Sequence, residues 1–389
     1  MKTNMEHSDI LHRCFRCGYC KLPADFTDIN CPSYLKYRFE TYSPGGRMWL
    51  LRGWLNGELT TSDRLLEIMY SCATCGNCVA HCAMPKFRDE ILEAFGAAKE
   101  LLVEAGTVPP AVRDFLSRLQ RAGNAYGVAP KKRADWTGGL EVPEYDGHEY
   151  LLFVGDVASY DDRGRDTARA VAGLLKQWNV SFGILGAAEK SDGNDALACG
   201  ERDLFEDLAR HNIEEFTKRG VRRVICVSPH GFNALRNHYP ALGSPAQAFH
   251  YTQVLALLSG SAKWRTDAPE ITVTYHDPCY LGRHNHEYDA ARMALKNAPG
   301  VKLVEMVRKR QNALCCGGGG GNVFTDMVSG GAENSARVRV REALDTGADV
   351  LAVSCPACAV MFEDAVKTEG AEDALRVLDV AAVLAERVA

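Results

Sequence analysis

The sequence predicts an α+β multidomain protein, with an N-terminal α-helical domain followed by two tandem α/β repeats built on parallel sheets. Three observations predict it. Residues 1 to about 105 hold eight closely spaced cysteines among helical patterns, with no strand signal. From residue 150 on, short apolar runs alternate with amphipathic helical patterns, as in parallel strands covered by helices. That second part also repeats itself, with three pairs of short motifs in the same order.

A chain of 389 residues is too long for one compact core and implies two or three domains. Hydrophobic content of 46% and charged content of 24% are those of an ordinary globular protein. A formal charge of −5 gives no reason to expect nucleic acid, and the basic runs at Lys131–Arg133 and Arg308–Arg310 read as solvated faces. No run approaches the roughly 18 apolar residues of a membrane span. The N-terminus, MKTNMEHSDILHRCF, lacks the apolar stretch of a signal peptide. The expectation is a cytoplasmic protein without direct membrane insertion, associating with a membrane only through a partner.

In the first domain, 1–105, Arg47–Trp54, Ser62–Tyr70 and Lys86–Glu104 read as helices. Residues 106–149 hold no cysteine and carry Pro109-Pro110, Gly123, Pro130, Gly138-Gly139 and Pro143. They read as one helix, about Ala111 to Arg121, and an irregular linker. Strands are predicted at Tyr150–Val154, Arg223–Val227, Ile271–Tyr275 and Val350–Val353. Helices follow at Thr167–Gln177, Arg202–Arg219, Ala332–Thr346 and Ala357–Lys367. The repeats span about 150–262 and 270–389. Gly155–Ala158 matches His276–Cys279, Ala198-Cys199-Gly200 matches Cys315-Cys316-Gly317, and Ser228–Gly231 matches Cys355–Cys358.

The cysteines carry the chemistry. Fifteen in an intracellular chain, tightly spaced and odd in number, argue for metal ligands rather than paired disulfides. The first motif is Cys14-x2-Cys17-x2-Cys20 with Cys31-Pro32 further on, and the second is Cys72-x2-Cys75-x2-Cys78-x3-Cys82. Zinc ligands usually come as separated pairs, whereas triplets spaced by two wrap a turn of backbone around a 4Fe–4S cubane. In two-cluster ferredoxins the fourth cysteine of each run ligates the other cluster. On that pattern Cys14, Cys17, Cys20 and Cys82 hold one cluster, and Cys72, Cys75, Cys78 and Cys31 the other. In the second repeat, Cys279, Cys315, Cys316, Cys355 and Cys358 each follow a predicted strand or begin the glycine run Gly317–Gly321. Loops at the carboxyl ends of parallel strands converge, so these five are expected to share one site. The alternatives are a zinc site, a redox disulfide at Cys355-Pro356-Ala357-Cys358, or core packing. A mononuclear zinc takes four ligands and leaves one over.

The helical part resembles the α-helical ferredoxin domain of succinate dehydrogenase iron–sulfur subunits and of the heterodisulfide reductase C subunit. The order Cys, Cys-Cys-Gly, Cys-Pro-x-Cys resembles the cysteine-rich CCG domain. The fusion of the two resembles the heterodisulfide reductase D subunit over nearly the whole chain. The resemblance implies that Cys279, Cys315, Cys316, Cys355 and Cys358 bind a noncubane 4Fe–4S centre that reduces a disulfide. It implies single electrons arriving through two cubanes from a flavoprotein, an electron-transfer flavoprotein or a membrane quinone or cytochrome module, as a subunit of a larger anaerobic complex. The first repeat departs from the pattern. It has Ala198-Cys199 for the vicinal pair, Ser228-Pro229-His230-Gly231 for Cys-Pro-x-Cys, and Ala158 or Ser159 for the leading cysteine. This loss favours a different acceptor from the methanogen heterodisulfide. It also keeps open a second reading, a non-catalytic relay connecting a flavoprotein or quinone module to another redox enzyme.

The remaining signals are weaker. Cys199 and Cys226 read as buried packing. His230 and His250 read as remnants of the first site. His276, His284 and His286 are candidate proton donors to a departing thiolate, and Arg283 a candidate anchor for an acidic substrate. The Gly317–Gly321 run lacks the Lys-Ser/Thr of a phosphate loop, and no dinucleotide fingerprint occurs, so no flavin or nicotinamide is expected in this chain.

Overall fold

The computed structural model describes residues 7–24 and 28–389. The opening residues 1–6 of the N-terminal reading lie outside the described residues, as do residues 25–27. Residues 7 to about 105 are helical. Ser43 caps the helix Pro44–Leu55 by accepting the Gly46 N–H at 3.0 Å, with Pro44 pre-set for the first turn. Ser62 caps Asp63–Tyr70 by accepting from Leu65. The predicted helix from Lys86 begins later, at Glu90, and runs to Glu104. A buried Arg47 ties the region together. Its guanidinium donates to the carbonyls of Ile68 and Tyr42 and to the hydroxyls of Ser33 and Ser71, at 2.8–2.9 Å. The next helix, Pro110–Ala122, ends at Gly123 in a left-handed turn.

The rest of the chain forms two four-stranded sheets, parallel throughout. Strands β1 (Tyr150–Phe153), β2 (Phe182–Gly183), β3 (Arg223–Cys226) and β4 (Gln247–His250) lie in the order β2-β1-β3-β4. Strands β5 (Ile271–Tyr275), β6 (Val301–Val304), β7 (Val350–Val353) and β8 (Arg376–Asp379) lie in the order β6-β5-β7-β8. The two orders are the same, so the duplication in the sequence is a duplication of topology. The four predicted strands are the inner ones of the two sheets. The four edge strands escape prediction because β2 has only two residues and β4, β6 and β8 are only partly buried, and so carry little apolar periodicity.

In each sheet the chain leaves the two central strands in opposite directions, opening a crevice at their carboxyl ends. Each crevice is braced by a buried arginine between two acids. In the first repeat Arg133, from the linker, pairs with Asp156 at 2.9 Å and Glu189 at 2.8 Å. In the second, Arg292 pairs with Asp277 at 2.6 Å and Glu305 at 2.7 Å. The acids follow corresponding strands, although the arginines come from unrelated elements.

The repeats also meet each other. Tyr251 donates its hydroxyl proton to Asp379 at the end of β8, and Trp178 packs edge-on against Trp264. Cys199 and Cys226 are both fully buried.

Candidate iron–sulfur centres

The two N-terminal motifs build the same turn twice. In Cys14-Phe15-Arg16-Cys17 and Cys72-Ala73-Thr74-Cys75 the third residue is left-handed, with φ 58° at Arg16 and 45° at Thr74. That turn folds two thiols of one run toward a common point. The electrostatic neighbours of the thiols cross between the two runs. Cys14 has Cys17 and Cys82 nearby, Cys20 has Cys31, Cys14 and Cys82, and Cys82 has Cys17. Cys78 has Cys72, Cys75, Cys20 and Cys31, and Cys31 has Cys75. Cys82 of the second run is thus near the first triplet, and Cys31 of the first run is near both Cys20 and the second triplet. Burial raises the pKa of Cys20, Cys31 and Cys78. Such thiols ionise readily only against a cation, so the donor set fits a bound metal centre.

The five cysteines of the second repeat converge at the crevice of the second sheet. Cys279 follows β5, and Cys355 N-caps the helix Pro356–Glu369 after β7. Cys315 Sγ is 3.7 Å from Cys279 Sγ, Cys358 Sγ is 3.3 Å from Cys316 Sγ, and Cys355 hydrogen-bonds Cys358. Cys316 also contacts Cys315, so the five sulfurs form one continuous chain of contacts. All five are buried, none more than 6% exposed. The N–H groups of Gly317 and Gly318 donate to Cys315 and Cys316 at 3.3 and 3.5 Å. Hydrogen bonds from Cys315 and Cys358, followed by the effect of His276, hold Cys316 well below an ordinary thiol. Burial would raise Cys355, but hydrogen bonds from Cys358 and His230 outweigh it and bring it down. Their bonding partners Cys315 and Cys358 are raised well above an ordinary thiol by those same bonds, and a buried cluster of five cysteine sulfurs is a donor set that fits an iron centre.

The two regions meet at cysteines. Cys75, from the second motif, packs into the same buried core as Cys315, and its interaction with Cys315, with Arg283 adding, brings it below an ordinary thiol against the effect of burial. The glycine run makes the contact possible. A Cβ on Gly319 would lie 2.5 Å from the Ala73 carbonyl, and one on Gly320 2.4 Å from that of Cys72. The loop after Cys279 completes the joint. Tyr280 hydroxyl and Thr74 Oγ1 are 2.8 Å apart, His284 Nε2 meets the Thr74 carbonyl at 2.8 Å, and Arg283 donates to the Cys75 carbonyl at 2.7 Å. Ala73, Cys75 and the five cysteines share one buried core.

Burial, with Arg339 nearby, lowers His276 to about 3, and burial lowers His284 to about 4 against the Thr74 carbonyl, so both rings are neutral at pH 7. His286 is exposed. Arg283 also donates from Nη1 to the Gln311 and Ala313 carbonyls, while its Nη2 has no hydrogen-bond partner among the described residues.

The first crevice holds a different set. Asp192 and Asp195 lie with Ser228 and His230 where thiols stand in the second repeat. His230 Nδ1 pairs with Asp195 Oδ2 at 3.0 Å, and its ring lies 4.4 Å from that of Tyr280. His230 thus reaches from the first crevice to Cys355 of the second site. His250 is buried against Thr252 Oγ1 at 2.7 Å. Asp195, Tyr280, Thr74 and Arg47 carry no motif, and sequence reasoning does not find them.

Comparison with known proteins agrees with this geometry. Residues 10–85 match the 4Fe-4S dicluster domain family, and residues 273–363 match the cysteine-rich CCG domain family. The D subunit of the dihydromethanophenazine:CoB–CoM heterodisulfide reductase of Methanosarcina barkeri is 31% identical over 375 residues, covering 90% of this chain and 87% of that one. The chain belongs to the family of heterodisulfide reductase D subunits. Like other members of the family, it is an iron–sulfur protein of oxidoreductase type. Two longer relatives extend the family. The probable iron-sulfur-binding oxidoreductase FadF of Bacillus subtilis is 35% identical, over 86% of this chain and 48% of its own length. The EtfAB:quinone oxidoreductase of Syntrophomonas wolfei is 34% identical, over 82% of this chain and 46% of its own. This heterodisulfide reductase-like chain spans about half the length of these two. Among its described residues no helix is long and apolar enough to cross a membrane.

Proposed function

We propose that this chain is the electron-transferring subunit of a redox complex, with two cubane clusters feeding a noncubane 4Fe–4S centre that reduces a disulfide or related acceptor. The ligands of the first cubane are Cys14, Cys17, Cys20 and Cys82, and those of the second are Cys72, Cys75, Cys78 and Cys31. Cys279, Cys315, Cys316, Cys355 and Cys358 hold the third centre. The corresponding units are 1–105, 106–149, 150–262 and 270–389. When bound, cubanes supply one-electron steps, and a five-thiolate iron centre supplies a place for a substrate sulfur.

The observation that carries the reading is the contact of Cys75 with Cys315. It brings the second motif and the five-cysteine site into one buried core. The chain's own residues hold that joint. Arg283, Thr74, Tyr280 and His284 fix the loop after Cys279 on the second motif, and Gly319 and Gly320 let the backbones close. Packing at the joint keeps water from the sulfurs. The EtfAB:quinone oxidoreductase likeness favours an electron-transfer flavoprotein or a quinone module as partner.

One observation favours the second reading, a relay that passes charge to another enzyme. All five cysteines are buried, and the first crevice has carboxylates and His230 in place of thiols. Anaerobic protein treated with thiols and disulfides, with its EPR spectrum followed during oxidation, separates the two. A paramagnetic state that requires thiol supports sulfur chemistry at the third centre. A spectrum indifferent to every thiol leaves the relay.

A further inference from the structure

We propose that the face around Cys17 is a docking surface for a one-electron donor protein with an acidic surface. The inference rests on the reading of Cys17 as a ligand of the first cluster and adds the chemistry of the partner that reaches it.

Cys17 is the exposed thiol of the first group, whereas Cys14 and Cys82 are half-buried and Cys20 is buried. The second group and the five-cysteine site lie deeper, with Cys75 and Cys78 buried and the five all buried. Electron tunnelling falls off steeply with distance, so a partner protein exchanges electrons where a centre meets the surface. Two aromatic rings flank Cys17 there, Phe15 at 61% and Tyr19 at 44% exposure. Exposed aromatic rings of this kind are common anchors in protein interfaces.

The charge beside it is fixed in place. Trp49 lies between two guanidinium groups, Arg16 at 3.9 Å and Arg52 at 4.9 Å from its ring. Its indole N–H donates to the Cys14 carbonyl at 2.9 Å, so the stack is fastened to the motif itself. Arg13 adds a third guanidinium, over Phe87 at 4.2 Å. The neighbouring acids are engaged, Asp9 with Arg13 and Glu40 with Lys21. Arg16 and Arg52 have no ion-pair partner among the described residues. Arg16 also holds a left-handed backbone, φ 58°, which glycine adopts at lower cost. The equivalent strained residue, Thr74, bonds to Tyr280 across the joint. Arg16 makes no such internal bond, and its strained position presents a cation beside the exposed thiol. An acidic partner complements this surface and is steered to it.

The test uses the iron-loaded protein under anaerobic conditions and two reductants, flavodoxin hydroquinone as an acidic protein donor and photoreduced deazariboflavin as a small neutral one. Stopped-flow reduction by flavodoxin is expected to slow about tenfold between low and high salt. The variant Arg52→Glu, outside the cluster turn, is expected to lose several-fold at low salt and part of the salt dependence, with iron content and the deazariboflavin rate retained. Arg16→Gly, which relieves the strained turn, is expected to give a smaller loss in the same direction. Flavodoxin rates indifferent to salt and to these substitutions, in protein that keeps its iron, overturn the proposal. Protein that binds no iron overturns the underlying reading instead, and with it this one.

Discussion

Cys75 of the helical domain and Cys315 of the second repeat lie in one buried core, 240 residues apart in the chain and side by side in the fold. Every other feature of the joint serves that contact. The glycine run removes side chains from the interface, the Cys279 loop clamps the second motif, and one core encloses both.

Closing the joint depends on Gly320. A Cβ there would lie 2.4 Å from the Cys72 carbonyl, on a backbone with φ +65°. Gly320→Ala is expected to destabilise the protein by about 1–3 kcal/mol, through overpacking and a strained turn. The control is Gly173→Ala, in the helix Asp162–Gln177 with open space around it, which is expected to gain about 0.5–1 kcal/mol. Anaerobic thermal unfolding of both variants measures the difference.

The ligand groups predict what each cysteine removes. Wild-type protein is expected to hold about twelve irons, as three four-iron clusters. Cys279→Ala is expected to leave about eight, with both cubane signals intact. Cys82→Ala is expected to perturb the first cubane and Cys31→Ala the second, although each stands in the other's run. Cys226→Ala is expected to keep all the iron. Iron and zinc analysis with EPR reads every case.

The buried arginines brace the crevices. Arg292→Met leaves Asp277, whose side chain is 2% exposed, without its cation. The expected cost is about 3–5 kcal/mol in chemical denaturation at neutral pH. Replacing Asp277 with leucine in the same chain is expected to recover part of the loss, because no charge is then stranded.

Asp192 makes stability depend on pH. Burial, followed by repulsion from Asp156 and Asp195, raises its carboxyl to about 7, with His230 opposing. The folded state therefore binds the proton more tightly than the unfolded chain does. This contribution is full below the ordinary aspartate pKa and is lost as the pH rises through about 7. Asp192→Asn keeps an acceptor for the Asn194 N–H, which lies at 2.8 Å. It is expected to raise stability most at pH 8 and roughly half as much at pH 5.5, where the aspartate of the unfolded chain is already ionised, measured by denaturation at the two values.

Most of the architecture is legible in the sequence because its signals are local. The apolar runs at Leu151–Phe153 and Leu351–Val353 mark inner strands, and cysteine spacing marks the motifs. The edge strand Phe182–Gly183 leaves no pattern because two residues carry no periodicity. The joint is illegible for another reason. Thr74, Tyr280 and Arg283 are ordinary residues whose partners lie some 200 positions away. The histidines carry a different lesson: their nearness to Cys279 is visible in the sequence, but the burial that lowers His276 and His284 is not. The glycine run signals close approach of backbone, and the structure adds that the approaching backbone is that of Cys72 and Ala73.

The central claim is that three iron–sulfur centres form one electron path through the Cys75–Cys315 joint. A stepwise anaerobic reductive titration followed by EPR tests it most directly. The account predicts two cubane signals and a third from the five-cysteine site, with spin coupling between the second cubane and the third centre that Gly320→Ala weakens. Stoichiometric zinc at the five cysteines, or a third centre with no magnetic interaction with either cubane, would contradict it.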